Sequence, residues 1–368
     1  MKYILKGGTV VGSSVSCEAD LLIDGEKIAA VGKDLLCEGA QVVDVTGKLL
    51  FPGFIDAHTH FDLDVCNTTT ADDFESGSKS AIRGGTTTVI DFACPNKGES
   101  LAYGLDLWHK KADGKCSCDY GFHMTIDDWN EGIEGELDDM FAAGITSFKM
   151  YLTYPAMMIG DGAVYSALKA LKKRGGIAGV HCENAGVIDA RIAELKAAGR
   201  AADVSAHPEA RPDYLEAEAV ARLLRIAEAA DAPVVIVHLT NREALDEVAF
   251  ARARGQRVYV ETCPQYLALD DGVYYDPDFS SAARYVCAPP IRSQEDSEAL
   301  WKALRRGEVQ TISTDHCSFT LEQKDMGRED FTKIPGGLPG VETRGEVVYT
   351  RGVAAGRMTV AGMCRALC

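Results

Sequence analysis

No stretch of this 368-residue chain strings together the roughly 18 uncharged apolar residues that a bilayer span needs, which argues against a membrane partner. The opening MKYILKGGTVV lacks the ordered basic, apolar and small-residue regions of an export leader and runs straight into a strand-like pattern, so no signal peptide is expected. Basic residues are scarce beside acidic ones, 38 Lys and Arg against 55 Asp and Glu, for a net charge of -17. A surface of that sign repels phosphate backbones and argues against nucleic acid; a neutral small molecule or a metal cation suits it better. No GxGxxG follows the early strands, so dinucleotide binding has no support. Low-complexity tracts and solenoid periods are missing too. Among the 12 cysteines, no second pair stands at zinc-finger spacing from the lone CxC of Cys116 and Cys118. Cys94, Cys182, Cys263 and Cys287 lie inside apolar runs, where a free thiol behaves as a small hydrophobe, and the expectation is a reducing cytoplasm.

What is present is a regular march. Short apolar runs such as TTTVIDFA (86–93), ITSFKMYL (145–152), IAGVHCE (177–183), APVVIVHL (232–239) and RVYVETCP (257–264) alternate with helical stretches such as YLEAEAVARLLRIAEAADA. Eight strands alternating with helices over about 265 residues is the size and rhythm of a (β/α)8 TIM barrel, with an open doubly wound sheet as the alternative. Residues 1–50 read differently, as short alternating segments with Asp-Gly turns: a small antiparallel β domain ahead of a barrel over 51–368 that includes C-terminal helices.

Of eight histidines, four fall at the C-terminal ends of expected barrel strands: His58 and His60, two apart and so on one face, then His181 and His238. Asp315 ends the eighth strand and Lys149 lies toward the end of the fourth. In a barrel those ends converge, so the joint pattern points to a metal site, although any one histidine alone is more often a satisfied core or loop residue. His123 is a candidate supporting residue. His316 is expected to orient Asp315 or to pack, and His109 and His207 to be solvated.

Lys149 is the odd letter in SFKMYLTY. An ammonium repels a cation and has no lone pair, but burial lowers an amine's pKa, and a free amine can add CO2 to give an anionic carbamate. The plainer alternative is a lysine reaching the barrel mouth or pairing with Asp315.

GFIDAHTHFD, SFKMYLTYP, GVHCEN, VIVHLT, ISTDH and IPGGLPGVETR, in that order, resemble the cyclic amidohydrolases, most of all their dihydropyrimidinase and D-hydantoinase branch. The resemblance covers essentially the whole chain. It implies two zinc ions bridged by N6-carboxylated Lys149 and a hydroxide, one held by His58, His60 and Asp315 and the other by His181 and His238. It also implies Asp315 as general base and acid, and Tyr154 as donor to the developing oxyanion. Main-chain contacts to the ring amide are implied at Ala288 and Gly336, where the family often has serine and asparagine. The implied reaction opens a neutral cyclic ureide, a 5,6-dihydropyrimidine or 5-substituted hydantoin, to an N-carbamoyl amino acid, in a homo-oligomer (tetramer or dimer).

Allantoinase-like and dihydroorotase-like hydrolases share the metal set, but Asp62 and Asp64 after the HxH are expected to repel an anionic substrate. A mononuclear deaminase has no need of Lys149. An inert dihydropyrimidinase-related scaffold protein is the non-enzyme alternative. Family members carry further strands that complete the small β domain, whereas this sequence ends at MTVAGMCRALC, so a shortened chain with an uncovered β edge is expected.

Overall fold

A computed structural model describes all 368 residues. Five strands come first: β1 (Lys2–Val11), β2 (Ser16–Asp24), β3 (Lys27–Gly32), β4 (Gln41–Asp44) and β5 (Leu49–Leu50). β1 to β3 form antiparallel pairs, the second turning at Gly25, whose φ of +63° is cheap only for a residue without Cβ. The sheet is nevertheless mixed rather than antiparallel throughout, because β4 and β5 lie parallel to β1. Turn signals announce hairpins; the segment 33–40 instead carries the chain from the β3 edge to the far side of β1, and crossovers have no short-range signature.

After β6 (Phe54–Thr59) and a small hairpin of β7 (Asp64–Val65) and β8 (Thr68–Thr69), the remaining strands alternate with helices. They are β9 (Thr86–Ala93), β10 (Asp119–Thr125), β11 (Ser147–Tyr151), β12 (Ile177–His181), β13 (Val234–Ile236), β14 (Val258–Thr262) and β15 (Thr311–Ile312). β6 and β9 to β15 pair in chain order, all parallel, in one eight-stranded sheet. The ring closes where Thr59 bridges His316: the His60 N–H donates to the His316 carbonyl at 2.8 Å and the His316 N–H to that of His58 at 3.3 Å. Closure rules out the open sheet and gives a (β/α)8 barrel.

Local chemistry explains the crossovers. Asp73 caps the helix Phe74–Arg83 by accepting from the amides of Glu75 and Ser76, and Ser76 answers back to the cap. Gly77 lets that helix settle on the Phe61 ring, since a Cβ there would lie 2.3 Å from a ring carbon. The helix Asp213–Ala230 buries Leu215, Val220, Leu223, Leu224 and Ala227 as one stripe against the barrel.

One buried cation braces the closing seam. Arg344, fully buried, donates to the carbonyls of Ile55 (2.8 Å) and Ile312 (3.0 Å) and to the Thr86 hydroxyl (3.1 Å), so it spans the first, second and last barrel strands. Its Nη1 also stands 3.7 Å from Asp56, which accepts from the amide and hydroxyl of Thr314. Arg344→Met leaves those acceptors dry and Asp56 without its cation, a loss of about 3 kcal/mol. The expected result is a clearly lower urea midpoint; an unchanged midpoint would remove Arg344 from the seam.

Candidate active site

The C-terminal strand ends build one cluster. His58 and His60 point the same way across the end of β6, Lys149 is the central residue of β11, and His181 ends β12. His238 and Asp315 lie just past β13 and β15. One carboxylate oxygen of Asp315 is 3.0 Å from Nε2 of His58 and 3.2 Å from Nε2 of His60. The Lys149 amine is 3.4 Å from the same His58 nitrogen. Nitrogen and oxygen donors of His58, His238 and Asp315 all fall within 4.8 Å of one another, and the His181 and His238 rings are 4.6 Å apart. Tyr154 stands beside them, 5.1 Å from the His181 ring.

These side chains, His58 apart, open on a cavity of about 440 Å³ that Ala288 and Gly336 also line. Every candidate read from the sequence is thus at one place. A larger groove, about 660 Å³, runs between the helices Arg242–Ala253 and Gln294–Arg306 on the outer wall, but its ionisable groups are surface ones.

Backbone strain concentrates here too. Tyr154 (φ 67°), His238 (φ 39°) and Asp315 (φ 53°) occupy the left-handed region that residues with a Cβ avoid. Each costs on the order of 1–3 kcal/mol, and such outliers cluster where geometry serves function.

The electrostatics are unusual in kind. Lys149 is 1% exposed and makes no salt bridge; its amine lies over the rings of Phe92 and Tyr151 at 4.9 and 5.2 Å. Burial pushes its pKa down, against the pull of Asp315 and Glu261. Burial likewise lowers His60 to about 4, and His181 and His238 shift in the same direction. His58 is the exception: burial and Lys149 push it down, but Glu261 and Asp315 outweigh them and raise it. Burial alone would raise Asp315, yet the neighbouring imidazoles hold its carboxyl well below the usual range.

The amidohydrolase family pattern matches residues 49–334. The D-hydantoinase of Geobacillus stearothermophilus is 43% identical over 363 residues, 98% of this chain and 77% of the relative. The dihydropyrimidinase of Dictyostelium discoideum is 38% identical over 370 residues, 99% of this chain and 73% of the relative. The crystal structure of dihydropyrimidinase from Brevibacillus agri matches with a TM-score of 0.97 at 41% identity, covering 100% of this chain and 80% of that one. The chain belongs to the amidohydrolase family.

Amidohydrolases are metal-dependent, and the donor chemistry of this one fits a cation. Nδ1 of His58 is held at 2.6 Å by Glu261, which fixes the ring proton there and turns the Nε2 lone pair toward Asp315. With Asp315 3.0 Å from that nitrogen, the contact needs a positive charge between the two, which a ring proton supplies in a metal-free site and a metal ion would supply in its place. Glu183 holds Nε2 of His181 at 2.7 Å in the same manner, leaving Nδ1 as its free donor. His60 and His238 each keep a buried ring nitrogen without any protein partner.

Several residues of this amidohydrolase that matter to the site went unnoticed in the sequence. Glu261 also accepts from the His238 main-chain amide (3.1 Å), so one carboxylate holds the His58 ring and the backbone that carries His238. Arg211 pairs with Glu183 at 2.7 Å and lies 5.6 Å over the Tyr154 ring. Asp91, whose pKa burial lifts to about 7, accepts from Thr59 Oγ1, the Phe61 amide and Trp108 Nε1 and so anchors the turn after the HxH.

Two expectations change. His207 is buried, not solvated, with Nε2 at 2.8 Å from the Cys287 carbonyl, because the 286–288 segment folds over its short helix. Of the two roles expected for His316, packing holds and orienting Asp315 does not: it is buried edge-on against the Phe61 ring at 5.3 Å and joins Asp72 (3.0 Å) to the amides of Gly340 and Val341. Asp62 and Asp64 do not line the cavity, where the neighbouring wall is Leu63, Val65 and Cys66. The case for a neutral ligand therefore rests on that wall and on Arg211 being neutralised by Glu183. His123 keeps its supporting place, bonded to the Ala57 carbonyl at 3.0 Å behind the cluster.

Proposed function

We propose that this amidohydrolase hydrolyses the cyclic amide bond of a neutral cyclic ureide, a 5,6-dihydropyrimidine or a 5-substituted hydantoin, giving an N-carbamoyl amino acid. His58, His60 and Asp315 would hold one zinc ion and His181 and His238 a second, with Lys149, carboxylated on its amine, as a further anionic ligand. The observation that carries the reading is Lys149, a buried amine without a counter-ion amid four imidazoles and a carboxylate. When bound, such a metal pair polarises a carbonyl and lowers the pKa of water.

The chain's own residues do the rest. Burial keeps the Tyr154 phenol protonated by raising its pKa, so it can donate a hydrogen bond to the ring carbonyl oxygen as negative charge develops there. Asp315, ionised in its setting, takes the proton of the attacking water and returns it to the departing ring nitrogen. Main-chain groups at Ala288 and Gly336 hold the ring amide. The same reading includes a homo-oligomer, tetramer or dimer, in a reducing cytoplasm, in keeping with cysteines that are all free. No helix is long and apolar enough to cross a membrane.

The test is a turnover screen of purified protein supplied with zinc and bicarbonate. Dihydrouracil, hydantoin and 5-substituted hydantoins should be opened, and a chelator should abolish the activity until zinc is returned. Turnover of allantoin or dihydroorotate alone, or of nothing, would defeat the reading.

A further inference from the structure

Two irregular segments, 286–288 and 335–337, bring Ala288 and Gly336 to the cavity wall. Neither residue has a polar side chain, so whatever they offer a polar ligand is main chain. They are neighbours: a Cβ built on Gly336 would meet only the Ala288 amide nitrogen, at 4.0 Å. Open space on that side means that side-chain packing does not set their spacing.

A buried cation ties the two segments together. Lys324, at the end of the short helix Leu321–Lys324, is 3% exposed. Its amine donates to the carbonyls of Val286 (2.8 Å), Pro335 (2.6 Å) and Gly337 (2.8 Å). An ammonium has three protons, and these acceptors use them all. No carboxylate accompanies it, and burial lowers its pKa to about 8. The Gly337 amide adds a bond to the Val286 carbonyl at 3.0 Å. Gly337 is pressed so close to Cys317 that a Cβ would lie 2.4 Å from its carbonyl oxygen, so this stretch has no slack of its own. A buried ammonium without a counter-ion is a costly way to fill space. All its hydrogen-bond acceptors belong to the two segments that carry Ala288 and Gly336, and the amine lies besides 5.5 Å over the Phe319 ring.

We infer that Lys324 is a positioning residue: it fastens segment 286–288 to 335–337 and so sets the spacing of the main-chain groups that take the cyclic amide. The substrate half of this statement rests on the function proposed above; the fastening does not. With Ala and Gly at these two positions, ring recognition depends on backbone placement more heavily than it would with polar side chains there.

The experiment compares full-length, zinc-loaded wild type with Lys324→Met, which keeps the stem and removes the donors, and Lys324→Gln, which restores N–H groups. KM and kcat for dihydrouracil, metal content, and amide hydrogen exchange over 286–288 and 335–338 are measured. In Lys324→Met, KM should rise about tenfold, the effect of losing charge-assisted hydrogen bonds, with kcat within about threefold and metal content unchanged. Exchange in both segments should quicken about tenfold or more, and Lys324→Gln should recover part of both changes. An unaltered KM, a loss confined to kcat, or unaltered exchange would overturn the inference. Should Lys324→Met not fold, Lys324→Gln against wild type is read by the same criteria at smaller amplitude. A wild type inert toward every cyclic ureide would defeat the proposed function and the substrate half together, while the exchange result would still decide the fastening.

Discussion

Lys149→Ala is expected to lose both turnover and bound metal, and a short carboxylic acid added with zinc is expected to restore part of each. The lysine sits in an environment hostile to an ammonium: fully buried, among aromatic rings and imidazoles, with no paired carboxylate. Desolvation favours the free amine there, and the free amine is the form that adds CO2. On the proposed reading, removing the resulting anion would leave Asp315 as the one anionic side chain among the ligands of two cations, so at least one metal should be lost. Lewis-acid stabilisation of a developing oxyanion amounts to several kcal/mol, so its loss lowers kcat by on the order of 10³ or more. Lys149→Arg is the sharper control: it keeps a positive charge but cannot form a carbamate under these conditions, and it should be as inactive as alanine. Metal analysis and kcat, measured with and without bicarbonate and the rescuing acid, check both variants. Full activity in unrescued Lys149→Ala would end the carbamate assignment, leaving Lys149 a packed lysine.

What could be read from the sequence followed from period and anomaly. Strand rhythm gave the barrel, and polar letters at the ends of apolar runs gave His58, His60, His181, His238 and Asp315, since side chains at strand ends must converge when a sheet closes. The supporting carboxylates carried the same kind of signal, unused. Glu261 interrupts RVYVETCP as Lys149 interrupts SFKMYLTY, and Asp91 interrupts TTTVIDFA. Glu183 stands two residues beyond His181, close enough to grip it (2.7 Å) as the chain leaves the strand. A charge inside an apolar run should be asked which imidazole or amide it holds. Other features had no local signal. His207 is buried by a segment 80 residues away, and the parallel placement of β4 depends on a crossover. Arg211 and Lys324 sit in polar sequence that reads as surface, and only the tertiary fold encloses them.

Asp315→Asn should nearly abolish catalysis while sparing the fold. Asparagine is close to isosteric and is among the few residues that tolerate a left-handed backbone, so the φ of 53° at this position remains affordable. Alanine at the same place would add backbone strain to the loss of the oxygens and blur the result. The amide keeps one oxygen for His58 and His60, which stand at 3.0 and 3.2 Å, so some metal affinity should survive. What it cannot do is take a proton from water and carry it to the ring nitrogen. Positioned proton transfer is worth about 10²–10⁴ in rate, and here one group serves both halves of the reaction, so a fall in kcat of about 10³ or more is expected. KM should change far less, because the cavity wall formed by Tyr154, Ala288 and Gly336 is untouched. The decisive measurement is kcat normalised to bound metal. A value within tenfold of wild type would take the proton-carrying role away from Asp315 and leave it only a ligand.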